Sequence, residues 1–127
     1  MARILVVEDN ALNIKLFCDL LAAHGHEPHG VTDSREALTR AQGVVPDLII
    51  TDIQLPHVSG IELIRAFRAD EALKDVPIMA VTAYAAAGDD DRIREAGAQS
   101  YVSKPISVVR FVEEVTALLD NREPVAG

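Results

Sequence analysis

Leu48-Ile49-Ile50-Thr51-Asp52-Ile53-Gln54-Leu55-Pro56 opens with an apolar run, sets a carboxylate at its end and stops at a proline. A short apolar run closed by a turn signal reads as a strand buried on both faces, the kind that parallel sheets contain. An ionised group at the end of such a strand must be desolvated unless it is paired or bound to a metal. The stretch therefore predicts a covered parallel sheet, and it demands a purpose for Asp52.

Working outward, similar runs recur as ILVV (4–7), EPHGV (27–31), IMAVT (78–82) and SYVS (100–103), which with LIIT (48–51) make five predicted strands. Between them apolar residues return at helical spacing: Leu12, Leu16 and Leu20 with Phe17 and Leu21, then Val108, Phe111, Val112, Val115, Leu118 and Leu119. Asp33-x-x-Glu36 and Ser59-x-x-Glu62 fit the capping-box pattern at helix starts, and Gly25 and Gly97 stand where left-handed C-terminal caps are needed. Strands alternating with five helices predict an α/β fold, a doubly wound five-stranded parallel sheet in the order 2-1-3-4-5.

The chain's 127 residues suit one domain, expected over 1–121, with a flexible C-terminal tail at 122–127 and no output domain after it. A net charge of -8, with Lys and Arg scattered, argues against nucleic acid as a partner. No apolar run approaches the roughly 20 residues of a membrane span, so no membrane insertion is expected. The start MARILVVEDN meets acids at once and lacks the form of a signal peptide. Cys18 is the sole cysteine, which suits a reducing compartment, and the predicted location is cytoplasmic.

Open parallel sheets bind ligands at the carboxyl ends of their strands, at the crevice between strands one and three in this order. The predicted ends there are Glu8-Asp9, Asp52, Thr82-Ala83 and Lys104-Pro105, so three acids, a hydroxyl and an ammonium converge. Close carboxylates repel, and a hard dication with oxygen ligands relieves the repulsion. Mg²⁺ suits such a set, because it takes one or two protein carboxylates and keeps room for water and phosphate oxygen. On that ground Asp9 and Asp52 are assigned as direct ligands and Glu8 as one acting through water.

This set, an acidic pair, a lone Asp, a Thr and a Lys-Pro in strand order, resembles the CheY-like receiver domains of bacterial two-component response regulators over residues 3 to about 120. The strings VEDN-x-LN-x-KLF, TDIQLP-x-x-SG, IREAG and YVSKPIS are more narrowly similar to the DivK-type single-domain regulators of cell division and polarity. The resemblance implies that Asp52 is a phosphoacceptor, taking a phosphoryl group from a phosphohistidine on a sensor histidine kinase. It also implies a further Mg²⁺ ligand in the backbone carbonyl of Gln54. Lys104 would neutralise phosphoryl charge, and Thr82 and the Ala83 backbone would bind the phosphoryl oxygens. Tyr101 would turn in response. Tyr84, Tyr101, Val109 and Arg110 become candidates for a face that meets signalling proteins, with a monomer or weak dimer expected.

Each residue has a plainer reading. Asp9 and Asn10 fit a helix cap, Thr82 an ordinary strand position and Lys104 a solvated charge. His24, His26 and His29 read as surface-loop histidines, Asp89, Asp90 and Asp91 as charge at a helix start, and Cys18 as a small hydrophobe. Three other functions compete. An aspartyl-nucleophile phosphatase would want a second Asp two residues after Asp52, where Gln54 stands. A flavodoxin-like cofactor binder would want a hydroxyl- and glycine-rich loop where Glu8-Asp9-Asn10 stands. A phosphate shuttle within a multistep relay would share the predicted site, and the protein is expected to catalyse its own phosphorylation without being an enzyme in the turnover sense.

Overall fold

A computed structural model of the chain describes residues 2–83, 89–103 and 106–121. Five strands, β1 (Arg3–Val7), β2 (Glu27–Val31), β3 (Leu48–Asp52), β4 (Ile78–Thr82) and β5 (Ser100–Ser103), form one parallel sheet in the order β2-β1-β3-β4-β5. The helices are α1 (Ala11–Ala23), α2 (Ala37–Val44), α3 (Gly60–Ala69), α4 (Asp89–Ala96) and α5 (Val108–Asn121). The predicted doubly wound fold and its strand order are what the chain adopts. The strand limits shift slightly: β1 begins at Arg3, and β3 carries Asp52 as its last paired residue.

Strand side chains alternate between faces, and the core divides accordingly. Ile4, Val6, Leu48, Ile50, Met79 and Val81 pack against α1 and α5 through Phe17, Leu21, Phe111 and Val115. Leu5, Val7, Ile49, Ile78 and Ala80 pack on the other side against Leu63, Ile64 and Phe67 of α3 and Ile93 of α4. The stacked rings of Phe17 and Phe111, 5.2 Å apart, join α1 to α5. Every residue of β3 and β4 is buried, as central strands covered on both faces require.

Helix ends show how local chemistry was met. Gly25 and Gly97 take positive φ, 85° and 127°, after α1 and α4, as the sequence predicts. Ser59 caps α3 by accepting from the Glu62 amide, and its hydroxyl donates to the Glu62 carboxylate. The Asp33 box does not form as predicted. Asp33 accepts instead from the amide of Arg35 and pairs with its guanidinium, starting a 3-10 turn at Ser34–Glu36, and α2 begins only at Ala37. The hydrogen bonds from Arg35 hold the Asp33 carboxyl down to about 2.

The histidine reading also needs correction. His29 lies within β2, its Nε2 2.6 Å from Glu27 Oε2, and His26 is half-buried with its Nδ1 finding no hydrogen-bond partner among the described residues. Burial first, then His24, pushes the His26 pKa below 6.5. Cys18 packs against the α1/α5 core as expected, and burial raises its thiol pKa. α4 begins at Asp89, so Asp89–Asp91 belong to the helix itself. No helix among the described residues is long and apolar enough to cross a membrane.

Candidate functional site

Strand register brings the acids together. β1 and β3 run in parallel with Val7 opposite Thr51, so one step further sets Glu8 beside Asp52, on neighbouring strands about 4.8 Å apart. The amide of Glu8 donates to Val31 at 3.1 Å, extending the ladder toward β2. By alternation Glu8 and Asp52 follow Val6 and Ile50, on the face covered by α1 and α5. Asp9 comes next in the chain and lies at the surface. Ligand oxygens of Glu8, Asp9 and Asp52 all fall within 4.8 Å of one another, forming the one such cluster found among the described residues.

Two of the three acids are nearly inaccessible, Glu8 at 1% and Asp52 at 4%. Glu8 Oε1 accepts from the amide of Asn10 and the side-chain amide of Asn13, each at 3.3 Å. Asn10, rather than Asp9, caps α1, accepting from the amides of Leu12 and Asn13 at 2.9 and 3.0 Å. Asp9 is thereby left to the acidic cluster. The positive end of α1 also sits beside these carboxylates, a favourable placement for negative charge. Asp52 Oδ1 accepts from the amide of Gln54 at 3.2 Å, which ties the carboxylate to the loop that follows it.

That loop is held from both sides. The amide of Ile53 donates to Val81 of β4 at 3.0 Å, and the amide of Gly60 donates to Ile53 at 2.9 Å. α3 thus starts directly against the end of β3. A side chain at Gly60 would place its Cβ 2.2 Å from the Asp52 carbonyl oxygen and 2.6 Å from the Ile53 Cα, so this close approach requires glycine.

Thr82 ends β4, one residue past the Val81–Asp52 pairing, and is buried at 2%. Ala83 follows at the surface. Tyr101 in β5 pairs with Ala80 and packs half-buried toward α3 and α4, with the Arg94 guanidinium 5.7 Å from its ring centre. Tyr101 and Arg110 line one groove of about 730 Å³ over β5, together with Arg94 and Glu114. Glu114 bridges its floor, pairing with Arg110 at 3.5 Å and accepting from Ser100 at 2.8 Å. Val109 is 68% exposed at the start of α5 but does not line the groove. Lys104 and Tyr84 lie outside the described residues.

The sequence reading missed two residues that position the acids, Asn13 beside Glu8 and Gly60 against Asp52, and also the Arg94 guanidinium beside the Tyr101 ring. Their roles depend on neighbours that only the fold supplies. Chemically, three carboxylates within 4.8 Å, two of them shielded from water, form a hard-oxygen donor set that fits a small divalent cation.

Known proteins share these features. The family model described as the response regulator receiver domain matches residues 4–116. The polar-differentiation response regulator DivK of Brucella ovis is 49% identical over 118 residues, 93% of this chain and 96% of that protein. Among solved structures, the Vibrio cholerae chemotaxis protein CheY4 superposes with a TM-score of 0.88 at 27% identity, covering 93% of this chain and 98% of that one. The receiver domain of the Pseudomonas aeruginosa sensor histidine kinase PA1611 does so at 0.86 and 31% identity, covering 94% and 98%. It was solved with a magnesium ion coordinated in its active site cleft.

Proposed function

Because this chain belongs to the response regulator receiver family, we propose that Asp52 accepts a phosphoryl group from a histidine kinase and that the chain signals through protein partners. The observation that carries the proposal is the cluster of Glu8, Asp9 and Asp52 at adjoining strand ends. The similarity to polar-differentiation regulators supports a role in cell division, cell cycle or polarity.

Asp9, Asp52 and the backbone carbonyl of Gln54 would hold Mg²⁺, with Glu8 reaching it through water. When bound, the ion supplies positive charge against the acidic cluster and the oxygens of the transferring phosphoryl group. An Asp52 oxygen attacks phosphorus; the bond from phosphorus to the kinase imidazole breaks, and an aspartyl phosphate forms. Lys104 neutralises equatorial phosphoryl charge. The protein's own groups thus perform the transfer, since phosphoryl transfer needs mainly positioning and charge compensation.

The new group adds about -1.5 to -2 charges and three acceptor oxygens. Thr82 donates its hydroxyl to one oxygen and Ala83 its backbone amide to another. Movement of Thr82 toward the phosphoryl group makes room for Tyr101, which sits on the same face of the sheet one strand away. The groove containing Tyr101 and Arg110 then changes shape where a partner, a sensor kinase or another signalling protein, would read it.

The experiment is phosphorylation by an acyl phosphate or a purified sensor kinase with and without Mg²⁺, read by intact mass. Wild-type protein gains one phosphoryl group only when Mg²⁺ is present, and Asp52→Asn gains none while keeping its circular dichroism spectrum. Undiminished labelling of Asp52→Asn refutes the assignment.

A further inference from the structure

The loop from Ile53 to Ser59 contains a strained turn. His57 has φ of 71°, and the amide of Val58 donates to the carbonyl of Pro56 at 2.9 Å, closing a three-residue turn around a positive-φ residue. Such γ-turns are rare for ordinary residues and persist where their surroundings hold them. Ile53, Leu55 and Val58 rest against the α3-side core, which anchors the loop without fixing the turn.

The fixing contact comes from 22 residues earlier in the chain. Ser34 opens the 3-10 turn after β2 and is buried at 3%. Its hydroxyl donates to the Pro56 carbonyl at 2.6 Å and accepts from the Val58 amide at 3.2 Å. One oxygen therefore bridges both ends of the strained turn. Pro56 has no amide of its own, so the turn's hydrogen bonding converges on the Pro56 carbonyl and the Val58 amide that Ser34 engages.

We propose that Ser34 is a positioning residue for the phosphoacceptor loop: its hydroxyl clasps the Pro56–Val58 turn and so presets Gln54, whose amide steadies Asp52 and whose carbonyl is the metal ligand proposed above. This rests on the function proposed above for Asp52 and Gln54. A residue distant in sequence from every acid in the site thereby tunes how well the site is assembled before any ligand arrives.

The test uses full-length protein and reads the loop directly. In metal-free protein, Ser34→Ala speeds amide hydrogen exchange at Val58 and Gln54 by about threefold to tenfold, the range one net hydrogen bond supports. Exchange in β3 and β4 stays within twofold. Mg²⁺ titration followed by the Gln54 amide resonance shows affinity weakened by a similar factor. Ser34→Cys, which keeps the volume and weakens both bonds, gives the same pattern at lower amplitude should the alanine variant fold poorly.

His57→Gly removes the positive-φ strain, so in that background Ser34→Ala has less than half its effect on exchange and on Mg²⁺ affinity. Uniform acceleration throughout the core, or unchanged Gln54 exchange and Mg²⁺ affinity, overturns the proposal by reducing Ser34 to a general stabiliser. These readouts do not require phosphorylation. Failure of wild-type labelling at Asp52 strikes the functional reading, whereas normal labelling with an unresponsive loop strikes this one.

Discussion

Replacing Gly60 by alanine tests whether the end of β3 is set by backbone contact with α3. The added Cβ would meet the Asp52 carbonyl oxygen at 2.2 Å and the Asp52 carbonyl carbon at 2.9 Å, with the Ile53 Cα at 2.6 Å. All three are backbone atoms, so no side-chain rotation relieves the overlap. To reach even 3.0 Å the oxygen contact must open by about 0.8 Å, enough to strain the bond from the Gly60 amide to Ile53. Overpacking of this kind costs about 1 to 3 kcal/mol, and the strained hydrogen bond adds about 1. A loss near 3 kcal/mol lowers Tm by roughly 10 °C for a chain of this size. The displaced carboxylate slows phosphorylation at least tenfold, since misplacement of about 1 Å weighs heavily on reacting groups. Urea unfolding followed by circular dichroism suits a chain without tryptophan. Gly43→Ala in α2 is the control: its Cβ meets nothing within 4 Å among the described residues, and it should gain about 0.5 to 1 kcal/mol. A Gly60→Ala variant that loses less than about 1 kcal/mol and labels at the wild-type rate refutes the reasoning.

Two further perturbations address parts of the fold away from the acids. Arg68 spreads its guanidinium over Gly97, Lys74, Val76 and Gln99, at 3.0, 2.9, 2.6 and 2.8 Å. Arg68→Ala should cost about 2 to 3 kcal/mol, with Arg68→Lys recovering less than half because a point charge cannot reproduce the fork; Mg²⁺ affinity is expected to stay within twofold, and a stability loss under 0.5 kcal/mol counts against the clamp. His26 has its folded pKa lowered below 6.5, so the fold prefers the neutral ring. Its contribution is complete above 6.5 and is lost as pH falls through the lowered folded value. His26→Leu also removes a buried Nδ1 that has no partner among the described residues, and should flatten the pH dependence of Tm in that window; an unchanged Tm profile argues against it.

The strand ends were legible because burial on both faces leaves an unmistakable pattern. LIITD and IMAVT are buried at every position, so both strands could be read from their apolar runs, although β3 runs one residue past the predicted 48–51 to take in Asp52. β2 at the sheet edge was fainter, since EPHGV is only partly buried, and its His29 passed for a loop residue. The Asp33 motif was misread for a different reason: the capping pattern was present, but Arg35 two residues away offered the carboxylate a charged partner and the helix began later. The contacts of Ser34 with Pro56 and of Arg68 with Gly97 span 22 and 29 residues. No local pattern encodes them, because each residue type is ordinary until strand order brings its partner near.

The two faces of the sheet also bound how strong the proposed switch is. Asp52 lies on the α1/α5 side with Val81, while Thr82 follows Ala80 toward α3 and α4, the side on which Tyr101 packs. A phosphoryl group on Asp52 must therefore act around the open edge of the strands, through the Thr82 hydroxyl and the Ala83 backbone. A hydrogen bond from Thr82 to a charged oxygen contributes about 1.5 to 3 kcal/mol. Separating Tyr101 from Arg94 costs about 0.5 to 1 in return. The difference, about 0.5 to 2.5 kcal/mol, falls short of the roughly 5.5 needed to carry a population from 1:99 to 99:1. Through this arm alone the response is graded, so a partner that binds only the rearranged groove must supply the remainder from its own binding energy. On the proposed reading, phosphorylation and partner binding would strengthen each other by the same factor, and a groove at Tyr101 and Arg110 that a partner reads would belong to the switch as much as to the interface.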